Sequence, residues 1–108
     1  MIFMKDFKVK NKHIGPNSPC FIIAEAGVNH NGEFHLAKKL IDEAASIEAD
    51  AIKFQTFKTE EGIIKHTSKA QYQIDQDKPD EDQYQMIKRL EFSSEQWLEL
   101  ADYAKQYD

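Results

Sequence analysis

Three polar side chains in this 108-residue chain interrupt or close segments that are otherwise apolar. Glu25 lies near the end of the apolar run 21–26, and Lys53 and Gln55 lie within the run 51–56. A carboxylate at such a position can contact a substrate or transfer a proton. An ammonium group among apolar neighbours must reach water, pair with an acid or bind an anion such as phosphate or carboxylate. An amide can both donate and accept hydrogen bonds. These residue types therefore point to an anion-binding site.

Each of these residues also has a purely structural interpretation. Glu25 could be a carboxylate that reaches solvent beyond the end of its strand. Lys53 could pair with Glu25 on a neighbouring strand, an arrangement that is compatible with function. The residue types alone leave both interpretations open.

Other polar residues carry weaker signals. His30 and His35 are five positions apart across a turn and a helix start, not the four of a helical metal pair, so a loop or capping role is favoured over metal ligation. The acidic run 75–82 lacks the regular spacing and the glycine of a calcium loop and is interpreted as a solvated loop. Tyr72 and Gln73 could reach a ligand from this loop or simply lie on the surface.

A strand, a helix and a second strand must position the candidate residues. The runs 21–26 and 51–56 predict strands, and residues 34–48 between them carry an apolar stripe at helical spacing that ends with Ile47. Asn31 is the predicted N-cap of this helix. A strand–helix–strand unit of this length favours a parallel sheet. The continuous apolar character of the run 21–26 predicts a strand covered on both faces.

Shorter elements flank this unit. Residues 7–14 alternate around a turn and predict a hairpin. Residues 83–90 predict a short helix, and residues 95–107 predict another with Ser93 or Ser94 as its N-cap. The intervening segment shows little periodicity, which is typical of a long loop.

The order of these elements predicts an α/β fold, with a leading β-hairpin (7–14), a βα unit (21–48) and a second βα unit (51–107). Trp97 and Leu98 are predicted to pack in its core. Two parallel strands cannot bury both faces of a sheet, so we interpret the chain as the N-terminal portion of a TIM (β/α)₈ barrel, which needs about 250 residues. A finished two-layer mini-domain is the competing interpretation.

Composition argues against several classes of protein. The formal net charge of -5 argues against a nucleic-acid-binding surface, which needs a basic face. No apolar run approaches the roughly 18–20 residues of a membrane span. The single cysteine, Cys20, excludes an internal disulfide and favours a reducing, cytoplasmic location. Because Cys20 adjoins the first strand, we predict a small buried thiol.

Three strings of residues resemble the N-terminal part of the sialic acid synthase family, which includes N-acetylneuraminate, pseudaminic and legionaminic acid synthases. The strings are IIAEAGVNHNG at 22–32, DAIKFQTFKTE at 50–60 and QYQMIKRLEFSSEQW at 83–97. The motifs E-x-G-x-N-H-N-G and K-x-Q-T are specific as a pair, although either alone would be weak. The resemblance covers nearly the whole chain.

The resemblance implies a catalytic (β/α)₈ barrel followed by a small antifreeze-like domain. It implies condensation of phosphoenolpyruvate with an N-acetylated sugar aldehyde, such as N-acetylmannosamine, to a nine-carbon 2-keto sugar acid and phosphate. A divalent metal, Mn²⁺ or Mg²⁺, would hold and polarise the aldehyde. Carried over by position, Glu25 is the acid near the reacting carbons, and Lys53 and Gln55 line the phosphoenolpyruvate site. Asn29 and His30 belong to the signature without an assigned role.

The resemblance also implies parts that lie beyond these residues. The family's metal-binding histidines belong to later strands, so no metal ligand is expected here, and the antifreeze-like domain that completes the site in a homodimer is absent. We therefore expect a partial N-terminal segment that is inactive alone. The alternatives are a non-catalytic barrel remnant and another phosphoenolpyruvate-dependent sugar-acid synthase.

Overall fold

The computed structural model describes residues 5–62 and 81–107. Over these residues the chain is an α/β arrangement. The elements, in chain order, are β1 (Phe7–Val9), β2 (Lys12–Ile14), β3 (Ile23–Gly27), α1 (Phe34–Ser46), β4 (Ala51–Phe54), α2 (Thr59–Gly62), α3 (Gln83–Arg89), α4 (Ser94–Ala104) and a last 3₁₀ turn (Lys105–Tyr107). The predictions for Tyr72, Gln73 and most of the acidic run 75–82 lie outside the described residues.

The predicted hairpin is confirmed. Strands β1 and β2 pair in antiparallel fashion, and Lys10 takes the left-handed conformation, with φ of 51°, that such a tight turn requires. The hairpin is tied to the second sheet through Asp50, whose carboxylate accepts hydrogen bonds from the Lys12 ammonium and, at 2.7 Å, from the Ile22 N–H. The hairpin therefore packs at the end where β3 and β4 begin.

The predicted parallel pairing is also confirmed. Strands β3 and β4 pair in parallel with α1 as their connection, and Ile23 lies opposite Ala51. The predicted N-cap of α1 is wrong, because Asn31 lies in the preceding turn with φ of 56°. Helix α1 begins two residues later, with Glu33 as N-cap and no hydrogen bond from its side chain.

The C-terminus of α1 ends without a glycine. Glu48, just after the C-cap residue Ile47, takes a left-handed φ of 58°. Its N–H donates to the Ala45 carbonyl, and the next N–H, of Ala49, donates to the Ala44 carbonyl, each at 3.0 Å. This is the hydrogen-bond pattern of a Schellman motif, which satisfies the last carbonyls of the helix. The motif turns the chain directly into β4.

The core lies between α1, α4 and the two parallel strands. Its buried residues are Ala37, Ile41, Phe92 and Leu100, with partly buried side chains around them that include Phe34, Ile52, Phe54, Trp97, Tyr103 and Ala104. The prediction that Trp97 packs in the core is confirmed.

Two residues of the predicted apolar stripes are placed wrongly. Ile47 is 71% exposed and Leu98 is 69% exposed. Ile47 follows the last turn of α1, and the buried face of α4 runs through Trp97, Leu100 and Ala104, so Leu98 lies off that face.

Strand β3 is not covered on both faces by the described residues, contrary to the prediction. Ala26 is buried, whereas Ile23 is 55% exposed and Glu25 is exposed on the same face as Ile23. The helices cover one face only, which leaves the side chains of the other face accessible. The prediction for Cys20 is wrong as well, because this thiol lies before β3 begins and is exposed.

The two later helices begin with reciprocal caps. Asp82 caps α3 together with Gln85, and Ser93 caps α4 together with Gln96, each pair forming a complete capping box. The prediction of Ser93 or Ser94 as the cap is thus confirmed at Ser93. Only residues 90–93 separate α3 from α4, and we call residues 89–92 the α3–α4 junction.

Candidate functional site

Glu25 and Lys53 face each other on adjacent strands. Their Cα atoms are register partners in the parallel pair, and Lys53 Nζ lies 2.8 Å from Glu25 Oε2. The two side chains are 52% and 62% exposed, so the ion pair lies on the open face of the sheet rather than within the core. The structural interpretation of Lys53 is therefore present in the molecule, and it leaves both charged groups accessible to a ligand.

A break in the strand pairing brings Gln55 to the same place. The register shifts between Glu25 and Gly27, and Gly27 takes φ of 55°, which favours glycine. The Gly27 carbonyl accepts the Gln55 N–H at 3.2 Å. A Cβ placed on Gly27 would lie 3.5 Å from Glu25 Oε1 and 3.8 Å from Gln55 Nε2. The carboxylate and the amide therefore flank the backbone of Gly27 at the C-terminal end of β3.

The three predicted site residues thus occupy one location. Parallel sheets present their ligand sites at the carboxyl ends of the strands, which is where Glu25, Lys53 and Gln55 lie. A carboxylate, an ammonium and an amide at this edge can bind an anion, donate hydrogen bonds to oxygen and exchange a proton. Because Lys53 already pairs with Glu25, an incoming anion would compete with the carboxylate for the same ammonium.

His30 is a residue whose place the sequence did not reveal. Its side chain is fully buried and stacks on the Phe92 ring at 4.2 Å between centroids, with the Trp97 ring edge-on at 6.3 Å. Burial lowers the pKa of His30 from its ordinary value of 6.5. Its Nδ1 accepts the Gly32 N–H at 3.0 Å, so the neutral ring carries its proton on Nε2.

The sequence signal for His30 was its position in an Asn-His-Asn-Gly turn directly before a helix. That signal predicts a loop role, and the loop role is confirmed. Burial depends on Phe92, which lies far along the chain, so it could not be inferred locally. His35 differs, because it lies exposed on α1 with Nε2 3.4 Å from a Glu33 carboxylate oxygen.

A second buried contact lies where α2 begins, shortly after Gln55. Thr59 is 1% exposed, and its N–H and hydroxyl donate to Glu91 Oε1 at 2.7 and 3.3 Å. The other Glu91 oxygen accepts from Lys88 Nζ at 2.8 Å. The ammonium of Lys88, followed by the Thr59 N–H, holds the pKa of Glu91 below its usual range. Glu91 is therefore an ionised anchor for the start of α2.

The described residues do not fit a metal ion. Across 5–62 and 81–107, no three His, Cys, Asp or Glu side chains converge as ligands, and the Glu25 carboxylate is engaged by Lys53. The expectation of Mn²⁺ or Mg²⁺ stays a prediction about residues outside these ranges.

No helix in the described part of the chain is both long and apolar enough to cross a membrane.

Comparisons with known proteins extend this geometry. The sequence model of the NeuB family matches residues 40–108. The N,N'-diacetyllegionaminic acid synthase of Legionella pneumophila is 48% identical over 90 residues, which are 83% of this chain and 25% of that protein. The mouse N-acetylneuraminate-9-phosphate synthase is 40% identical over 93 residues, which are 86% of this chain and 26% of that protein.

A solved structure agrees with the sequence matches. The N-acetylneuraminic acid synthetase of Leptospira borgpetersenii, crystallised in complex with citrate, matches with a TM-score of 0.74 and 34% identity. The match covers 95% of this chain and 31% of that one. The chain spans about a quarter of the length of the curated relatives it matches.

The family match includes β4 with Lys53 and Gln55, α3, the α3–α4 junction and α4. The structural match extends the likeness to nearly the whole chain and thus includes the strand that carries Glu25. The resemblance drawn from the sequence motifs is confirmed. The chain belongs to the NeuB family.

Proposed function

We propose that this chain is the N-terminal part of the catalytic (β/α)₈ barrel of a cytoplasmic sugar-acid synthase. The enzyme condenses phosphoenolpyruvate with an N-acetylated sugar aldehyde, such as N-acetylmannosamine, to a nine-carbon 2-keto sugar acid and phosphate. The observation that carries the proposal is the accessible cluster of Glu25, Lys53 and Gln55 at one strand edge, in a chain of the NeuB family.

The chemistry assigns each of these residues a task. A carbon–carbon bond forms between C3 of phosphoenolpyruvate and the aldehyde carbon, and the aldehyde oxygen takes up a proton. Water supplies the oxygen of the new 2-keto group, and phosphate leaves with its electron pair.

Lys53 binds an anionic oxygen of phosphoenolpyruvate, and the Gln55 amide supports the same substrate with a hydrogen bond. Binding of phosphoenolpyruvate to Lys53 releases Glu25, 2.8 Å away, from the ion pair. The freed carboxylate then transfers the proton near the reacting carbons. This order of events explains why a ligand-binding ammonium and a proton-transferring carboxylate should be neighbours.

Three further properties belong to the same proposal by resemblance. The complete enzyme acts as a homodimer with an antifreeze-like domain, and it uses Mn²⁺ or Mg²⁺ held by residues outside the described ones. No step assigned to Glu25, Lys53 or Gln55 depends on that metal.

A coupled phosphate-release assay tests the proposal. The protein at its full natural length is incubated with phosphoenolpyruvate, Mn²⁺ and a panel of N-acetylated sugars that includes N-acetylmannosamine. We expect phosphate release that requires one of these sugars. Phosphate release with none of them would contradict the proposal and favour a non-catalytic barrel remnant. Release with a sugar that lacks the N-acetyl group would favour another phosphoenolpyruvate-dependent sugar-acid synthase.

A further inference from the structure

The two strands that carry the candidate site each continue into a loop that contacts the α3–α4 junction. Strand β3 leads into the β3–α1 turn (28–33), and β4 leads into the β4–α2 loop (55–58). Gln55 is itself the first residue of the second loop, and Glu25 lies three residues before the first. The positions of both loops therefore bear on the site.

Contacts with the β4–α2 loop come from Glu91. One carboxylate oxygen accepts both the N–H and the hydroxyl of Thr59, the residue that follows the loop. Thr59 is buried, so without Glu91 its donors would have to be satisfied elsewhere. A charged acceptor strengthens such hydrogen bonds, and the Lys88 ammonium holds the other oxygen of Glu91. The end of this loop is thus fixed by one side chain of the junction.

Contacts with the β3–α1 turn come from the neighbouring residue, Phe92. Its ring stacks on His30 with 26° between the ring planes. The same turn touches the junction backbone, because a Cβ at Gly32 would lie only 2.1 Å from the Arg89 carbonyl oxygen. Only glycine allows this close approach. The turn is thus held from two sides by residues 89–92.

We propose that the α3–α4 junction is a positioning element for the site, in which Glu91 fixes the loop after β4 and Phe92 fixes the turn after β3. Glu91 and Phe92 are adjacent in sequence, so the spacing between the two loops is set by a single short segment. This inference rests on the proposed function for its effect on turnover, but the positions of the loops can be tested without any substrate.

Hydrogen–deuterium exchange on the protein at its full natural length tests the loop contacts. In Glu91→Ala we expect faster exchange in residues 55–62 and unchanged exchange in 28–33, because only the Thr59 contact is lost. In Phe92→Leu, which keeps an apolar side chain in the core, we expect the reverse pattern. Glu60→Ala is the matched control, because it removes an exposed carboxylate that pairs only with Lys88 at 3.5 Å among the printed contacts. Uniformly faster exchange in both loops, or no change, would overturn the proposal.

Kinetics then test the consequence for the site. We expect Glu91→Ala to lower turnover by about tenfold to hundredfold, since misplacement by about 1 Å can cost that much. Glu91→Gln should recover most of the loss, because its amide oxygen can still accept from Thr59, whereas a role through charge alone would leave it as impaired as Glu91→Ala.

The two readouts separate the possible failures. Normal turnover in Glu91→Ala, with the local change in exchange present, would overturn the positioning role and leave the proposed function intact. A wild-type protein without phosphate release would overturn the proposed function, and the exchange pattern would still decide whether the junction positions the loops.

Discussion

Glu25 and Lys53 form an ion pair whose two members are about half exposed. Exposed pairs of this kind contribute about 0–1 kcal/mol to stability, so the fold does not depend strongly on this one. Each charge can therefore be removed with little risk of unfolding. This property makes the site residues suitable for substitutions that test chemistry rather than folding.

The first prediction concerns the carboxylate. Glu25→Gln keeps the shape of the side chain and removes its ability to transfer a proton. Turnover in the phosphate-release assay, with the protein at its full natural length, should fall by about 10²-fold or more. Glu33→Gln is the control, because that exposed carboxylate contacts His35 and not the site. Turnover close to wild type in Glu25→Gln would remove Glu25 from the mechanism.

A second residue-scale prediction separates the two substrates. Lys53→Met keeps the apolar stem and deletes the charge, so the KM for phosphoenolpyruvate should rise by about tenfold to hundredfold, as expected for a lost charged hydrogen bond. The KM for the sugar should change less. Lys39→Met on the exposed face of α1 provides the control. A selective rise in the sugar KM would assign Lys53 to the sugar subsite instead.

His30 makes the stability of the chain depend on pH. Its pKa is lowered in the folded state by burial, so the unfolded state binds the proton more readily and protonation favours unfolding. This contribution to stability is fully present above the ordinary pKa of 6.5 and is lost as the pH falls below it through the folded pKa. The pH window is therefore mildly acidic.

Urea unfolding of the 108-residue chain, followed through the single tryptophan Trp97, measures this effect. We expect the midpoint to fall between about pH 8 and about pH 5. His30→Gln should show a smaller dependence over the same range, whereas His35→Gln, which changes an exposed ring, should keep it. An unchanged dependence in His30→Gln would show that other groups are responsible.

At the scale of elements, the Schellman motif at the end of α1 offers a stability test. Glu48 adopts a left-handed φ that carries a steric cost for any residue with a Cβ. Glu48→Gly should therefore raise the free energy of unfolding by about 0.5–1 kcal/mol, even after the extra chain entropy of glycine. The same replacement inside the helix, Glu43→Gly, should lower it by about 1 kcal/mol. Urea unfolding compares the two variants, and destabilisation by Glu48→Gly would contradict the assignment of the cap.

The accuracy of the sequence predictions follows from the range of the interactions involved. Pairing of β3 with β4 and the meeting of Glu25 with Lys53 follow from local apolar runs joined by one helix, and these were predicted. The burial of His30 and of Thr59 depends on Phe92 and Glu91, which are 62 and 32 residues away. No local pattern carries that information. Asn31 failed as the predicted cap because the turn before α1 uses its left-handed conformation instead.

Helical phase explains the misplaced core residues. Trp97 and Leu98 both fit an apolar stripe over one short helix, and the sequence could not decide which of them faces the core. Packing of α4 against α1 selects the face with Trp97 and Leu100, and leaves Leu98 exposed. Tertiary contacts thus decide what the periodicity left open.

On the scale of the whole molecule, one sheet face stays accessible in the described part of the chain. Ile23, Glu25 and Lys53 are exposed on this face, and the helices pack on the other. Ligand pockets generally enclose most of a ligand with groups that converge from several sides. The described residues contribute such groups from one side only.

The 108-residue chain alone should therefore bind substrate weakly. Titration calorimetry with phosphoenolpyruvate in the presence of Mn²⁺ should give no saturable heat. Parallel titration of the protein at its full natural length serves as the positive control. Saturable binding by the 108-residue chain, together with a monomeric state in solution, would favour the finished two-layer mini-domain.

The Glu25–Lys53 pair also has a consequence for the alignment of the sheet. Sliding β4 by two residues would keep every side chain on its own face, so burial alone does not forbid that error. The slide would, however, place Lys53 opposite Ile23 or Gly27 and leave both charges without a cross-strand partner. The pair thus acts as a key that admits one alignment of the strands. Exchanging its members, Glu25→Lys with Lys53→Glu, should preserve that alignment and abolish the chemistry, which would separate the folding role of the two residues from their catalytic one.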